Sequence, residues 1–309
     1  MSLIEKAAAK LKKSESLVER AAREAEKASL VEARRAATPS KPDDVSVPEK
    51  AQATANAEGK PRSTSAQVEI NFDIMHQKNI LTDKDLDNTV TAEEFRIVKR
   101  SLLLNAFSKG ESAIKNGNIV MVTSTQPDEG KTFCAVSLAM SMASERDLTV
   151  LLVDADVSKP DVLRTLGVKG SKGLIDVIEN KDMDLSECLL KTNIPNLTIL
   201  PAGKKHKLTT ELLASGRMGE IINEIARRYH DRIVIIDSPP VLASSAASVL
   251  ALNVGQVLFV VEAERTREGE LTDALKMIEN NPNINFILNK TRFSAGKKKF
   301  GSYYGYGYN

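Results

Sequence analysis

The stretch VTSTQPDEGKT, residues 122–132, leaves an apolar run that begins at Ile119. A β run that delivers Gly130, Lys131 and Thr132 to a helix start predicts a phosphate loop. Loop amides and the helix N-terminus attract anionic oxygens. Lys131 then faces the β- and γ-phosphates, and the Thr132 hydroxyl binds magnesium. The nucleotide-binding segment runs over Thr125, Gln126, Pro127, Asp128, Glu129, Gly130, Lys131 and Thr132, and Thr125 stands where the usual G-x-x-x-x-G-K-[ST] pattern has its first glycine. Such a loop works only between a strand and a helix, so it constrains the fold to an α/β sheet.

The rest of the chain has the matching rhythm. Apolar runs at Ile119–Thr123, Thr149–Val153, Leu197–Leu200, Ile233–Ile236, Val257–Val261 and Ile284–Leu288 alternate with helix-length segments. Runs apolar on both faces are strands covered on both sides, as in parallel sheets. A doubly wound, mostly parallel sheet with P-loop NTPase architecture is expected.

Two further elements bring acid to the ends of these strands. LLVDADVSKP places Asp154 and Asp156 at the carboxyl edge of the sheet, where such folds bind ligands. IVIIDSPP ends a buried strand on Asp237 and stops it with Pro239 and Pro240, the form of a Walker B strand. Singly, each Asp is an ordinary turn or capping residue. Together they converge on the phosphate loop, and clustered carboxylates are costly unless a cation or proton pairs with them.

Outside this core, residues 1–36 carry apolar residues such as Leu3, Ile4, Leu11, Leu17 and Val18 at helical spacing between charges, an amphipathic segment. Residues 37–66 are rich in Pro, Ala, Ser, Thr and charge, and read as a disordered linker. A main domain over 67–292 and a mobile tail over 293–309 follow. The tail holds Tyr303, Tyr304, Tyr306 and Tyr308, interleaved with Gly305 and Gly307 and preceded by Lys297, Lys298 and Lys299. Tyrosines on such a flexible backbone have exposed hydroxyls able to enter an active site.

A net charge of +2, from 43 basic and 41 acidic residues, is too balanced to argue for nucleic-acid binding. Cys134 and Cys188 are too few for a disulfide framework, and the three histidines lack metal-ligand spacing. No apolar run reaches membrane-spanning length and no secretory signal is present, so a cytoplasmic location is expected.

The three acidic and phosphate elements in this order, with the tyrosine-rich end, resemble the bacterial tyrosine kinases of exopolysaccharide and capsule synthesis over about residues 91–309. The N-terminal helix and linker are similar to the exosortase-associated tyrosine autokinase subgroup. The resemblance implies an ATP-dependent autokinase that needs magnesium, regulates polysaccharide polymerisation and export, and phosphorylates its own tail in trans. Lys131 and Thr132 then hold phosphate and magnesium, Asp154 is the base for the tyrosine hydroxyl, and Asp156 and Asp237 lie on the magnesium side. Ser158, followed by Lys159, stands where the family often has Arg. Asn289 ends the last strand either as an adenine contact, as in related P-loop ATPases, or as a plain turn. The helix TAEEFRIVKRSLLLNAF carries Glu93, Arg96 and Lys99, similar to the family's E-x-x-R-x-x-R ring-forming helix with lysine in the last place. That implies a homo-oligomeric ring, peripheral recruitment to the inner membrane, and a separate transmembrane activator of polysaccharide co-polymerase type. The alternative is a ParA/MinD-type partitioning or positioning ATPase, whose loop has a lysine where Gln126 stands here.

Overall fold

The computed structural model describes residues 65–80, 89–170, 172–228 and 232–291. The amphipathic segment 1–36, nearly all of the linker and the tyrosine-bearing tail lie outside the described residues.

Strand β1 (Ala66–Val68) precedes helices α1 (Phe72–Gln77) and α2 (Val90–Ala106). Each helix begins on a side-chain cap: Asn71 accepts from the Ile74 amide, and Thr89 accepts from the Ala92 amide. Then come β2 (Ile119–Ser124), α3 (Lys131–Ala143), β3 (Thr149–Asp154), α4 (Val162–Leu166), α5 (Leu174–Glu179), β4 (Leu190–Thr192) and β5 (Leu197–Leu200). Helices α6 (Thr209–Leu213) and α7 (Gly216–Arg228), strand β6 (Arg232–Asp237), helix α8 (Ser245–Asn253), strand β7 (Gln256–Glu262), helix α9 (Glu268–Met277) and strand β8 (Ile284–Asn289) complete the order.

One eight-stranded sheet runs β1-β4-β5-β3-β6-β2-β7-β8. Neighbours from β5 to β8 are parallel, β4 lies antiparallel to β5, and β1 runs parallel to β4. All six strands expected from the apolar runs are present. The other two, β1 and β4, are three residues each, and β1 begins at Ala66, inside the segment read as linker.

Period-two alternation divides the core between the two faces of the sheet. Ile119, Met121, Leu151, Val153, Val234, Ile236, Val257 and Phe259 face α5, α7, α8 and α9. Val120, Val122, Val150, Leu152, Ile233, Ile235, Leu258 and Val260 face α2, α3 and the small α1–α4 corner. Each such side chain stabilises the fold by roughly 1.5–3 kcal/mol on burial. Helices α3 and α8, the connections leaving β2 and β6, therefore lie on opposite faces. This leaves a crevice beyond the carboxyl ends of β3, β6 and β2, where ligands bind in open α/β sheets.

Candidate functional site

Strand β2 ends on Ser124, and the chain makes its turn to α3 through two left-handed residues, Asp128 at φ +66° and Gly130 at φ +100°. Thr125, at the place of the usual first glycine, is fully buried and needs no positive φ. Glu129 is 1% exposed and braces the loop from within. One of its oxygens accepts from the Gln126 amide at 2.9 Å, and the other takes the Thr266 hydroxyl. Asn289, at the end of β8, donates its amide to the Glu129 carbonyl at 2.9 Å. The structure thus gives Asn289 the job of fastening the loop.

A Cβ on residue 130 would fall 2.0 Å from the Asn289 amide nitrogen, in a backbone conformation that L side chains rarely adopt. Gly130→Ala is expected to cost about 2 kcal/mol or more in stability. Urea denaturation checks this, and a variant as stable as wild type would show that the loop is not held as described.

Lys131 opens α3 and is 7% exposed, with its Nζ 3.4 Å from Asp156 Oδ2. The Thr132 hydroxyl donates to Asp237 Oδ2 at 2.7 Å. Asp154 and Asp237 are register partners at the ends of β3 and β6, and both are buried. Asp154 Oδ2 accepts the Val162 amide at the start of α4. The other oxygen of each, Oδ1, has no hydrogen-bond partner among the described residues.

Burial pushes Asp237 up to about 7, with the Asp156 charge adding to it while Lys131 and the Thr132 hydroxyl pull it down. Burial first, and then the charges of Asp237 and Asp156, raise Asp154 well above the ordinary carboxylate range. Buried Cys134 is pushed up to about 12 by desolvation and Asp237, as an inert thiol should be.

These groups border a cavity of about 480 Å³ lined by Gly130, Lys131, Thr132, Asp156, Pro239 and Pro240, with Lys78, Asp161 and Arg164 at its rim. Asp156 is on the wall. Asp154 and Asp237 lie behind it.

The residue set fits a phosphate-bound divalent cation. Three carboxylates stand near one lysine, and two orphan oxygens are buried among them. Among the described residues no three His, Cys, Asp or Glu side chains converge as a closed ligand set. Magnesium takes one or two protein ligands and completes its shell with water and phosphate oxygens.

The helix residues read as a self-association face divide. Glu93 and Arg96 stay at the surface, paired at 2.7 Å. Lys99 turns inward and is 7% exposed, donating to the Ser141 carbonyl at 3.1 Å and the Glu145 carboxylate at 2.6 Å. It sits on the α2 face that packs against α3, alongside Ala92, Phe95 and Leu102, so of the three only Glu93 and Arg96 lie at the surface.

The sequence places Glu129 in the nucleotide-binding segment, and nothing in its pattern marks it as facing inward. Lys159 reaches back across the cavity mouth to Asp128 Oδ1 at 2.6 Å. Its signal was its position, three residues after Asp156.

A family model for the AAA domain matches residues 117–288, the span from before β2 into β8. The chain is 31% identical over 194 residues to the tyrosine-protein kinase Wzc of Salmonella typhimurium, covering 62% of this chain and 26% of that protein. It thus spans about a quarter of that relative's length. It is 29% identical over 196 residues to the tyrosine-protein kinase CpsD of Streptococcus agalactiae, covering 62% of this chain and 83% of the relative. Among solved structures it is similar to the kinase domain of the Escherichia coli tyrosine kinase ETK. That match has a TM-score of 0.55 at 29% identity, over 70% of this chain and 80% of the other. The chain carries a phosphate loop between β2 and α3, two acidic strand ends beside it, and a family match over more than half its length. It belongs to the AAA-domain family.

Proposed function

We propose that this protein is an ATP-dependent protein-tyrosine kinase that phosphorylates the tyrosines of its own C-terminal tail. The observation that carries the reading is the convergence of Lys131, Thr132 and Asp156 on one cavity of about 480 Å³, with Asp237 held behind its wall by the Thr132 hydroxyl. The named likenesses to Wzc, CpsD and ETK point the same way.

Phosphoryl transfer requires alignment and charge neutralisation more than covalent chemistry. The loop 125–132 holds the β- and γ-phosphates, and Lys131 leaves Asp156 to pair with them. Thr132, Asp156 and Asp237 would hold magnesium, which would supply positive charge against the developing phosphate charge. The acceptor oxygen bonds to the γ-phosphorus as the bridge to the β-phosphate breaks, and ADP leaves. The hydroxyl proton passes to the Asp154–Asp156 pair. Asp156 faces the cavity, and Asp154 stands behind it with a raised affinity for a proton, as a general base should have.

Incubation of the full chain with ATP and magnesium, followed by mass-spectrometric mapping, tests this. Phosphate on Tyr303, Tyr304, Tyr306 and Tyr308 supports it. Release of free phosphate alone would favour the partitioning-type ATPase.

Transfer is proposed to pass between molecules of a ring that uses Glu93 and Arg96, with a separate membrane protein recruiting the chain in polysaccharide synthesis. No helix among the described residues is long and apolar enough to cross a membrane. Each added phosphate brings about −1.5 to −2 charges, so several on one tail repel the carboxylate-rich site and loosen the assembly. Mixing an inactive Lys131→Met chain that keeps its tail with an active chain whose four tail tyrosines are Phe checks the direction. The inactive chain is expected to gain phosphotyrosine. If only wild type alone becomes phosphorylated, transfer is within one molecule.

A further inference from the structure

Asp128 and Lys159 stand on opposite walls of the cavity. Asp128 belongs to the phosphate loop, and Lys159 to the loop between β3 and α4. The Lys159 amide donates to the Asp156 carbonyl at 3.1 Å and to Asp156 Oδ1 at 3.3 Å, so the residue that pairs with Lys131 also aims Lys159. The Lys159 ammonium meets Asp128 Oδ1 at 2.6 Å across the mouth, and the two side chains are 60% and 66% exposed.

Asp128 holds its left-handed backbone without being glycine, and Lys290 Nζ donates to its carbonyl at 2.6 Å. The loop therefore presents this carboxylate in a fixed place. Lys159 holds Asp128 below the usual carboxylate range, with lesser help from Lys131 and Arg265, while Asp128 raises Lys159. Asp161 and Arg164, from α4 and its start, face Lys159 with opposite effects.

An exposed ion pair of this kind contributes little to stability, so it opens readily. A phosphate oxygen offers Lys159 a stronger, charge-assisted partner. In chemical terms the Asp128 carboxylate stands in for such an oxygen. We infer that Lys159 is a phosphate-contacting residue that exchanges Asp128 for the terminal phosphate of a bound nucleoside triphosphate. The inference rests on the nucleotide-binding reading above. Asp128 is then the anion that competes for Lys159. A diphosphate lacks the group that outbids Asp128, so the pair sets a preference for triphosphate over diphosphate and re-forms as the product leaves.

Calorimetric titration of the full chain with magnesium and either ADP or the β,γ-imido analogue of ATP tests this. Lys159→Met is expected to weaken analogue binding about tenfold while changing ADP binding by less than about twofold, the scale of one charge-assisted contact. Asp128→Asn is expected to tighten analogue binding severalfold, and Lys159→Arg to recover most of the loss. Both side chains are exposed, so melting temperatures should not move. Equal loss for both nucleotides, or no loss for either, overturns the assignment. If wild type binds neither nucleotide, the underlying reading falls first and is recognised as such.

Discussion

Lys131→Met is expected to lower tail phosphotyrosine by at least about a hundredfold, the scale on which a single preorganised charge partner of the transition state acts. The side chain is almost fully buried and lies against Asp156 from the first residue of α3. Methionine keeps the length and apolar stem, so no core volume is emptied. The three carboxylates lose their nearest cation, but the cluster can answer by taking up a proton, because Asp237 already sits near 7 with Lys131 pulling it down. The melting transition should therefore persist while activity disappears. A folded variant with wild-type phosphotyrosine would remove the phosphate loop from the mechanism.

Asp237→Asn is expected to make the nucleotide-free protein more stable and its magnesium-dependent activity vanish. The folded chain ionises Asp237 at about 7, whereas the exposed group has an ordinary value of 3.8. Between those values the folded state holds a proton that the unfolded state has released. Stability therefore falls as pH rises from about 4 to about 7 and levels off above that. Asparagine cannot ionise, and it can still accept the Thr132 hydroxyl. The variant should keep only the part of this slope that Asp154 contributes, and be more stable than wild type at pH 8 by up to about 4 kcal/mol. Magnesium should raise the melting temperature of wild type at pH 8 and leave the variant unmoved. Thermal denaturation at pH 5 and pH 8, with and without the metal, decides it. A wild-type protein that grows more stable through this window would show that Asp237 is ionised in the fold.

The six long strands were legible because each is a run apolar on both faces, and burial between two helical layers demands that composition. Strands β1 and β4 were not, since three residues at the sheet margin carry too little pattern: β4 is a buried Leu190, an exposed Lys191 and a half-buried Thr192. The antiparallel turn at β4 is likewise a matter of pairing.

At the site, the residue types at strand ends determined by themselves that Lys131, Thr132, Asp156 and Asp237 would share one edge. Parallel strands joined by helices can bring their carboxyl ends nowhere else. Only the tertiary structure decided which of these groups face the cavity. It put Asp156 on the wall and Asp154 and Asp237 behind it, turned Glu129 inward as a brace, and drew Lys99 off the surface to Glu145. It also carried Lys159 across to Asp128. Sequence periodicity reports burial one element at a time, whereas these contacts join residues as far as 137 positions apart. Their geometry depends on how the strands are ordered in the sheet, and that order is set by the packing of both faces at once.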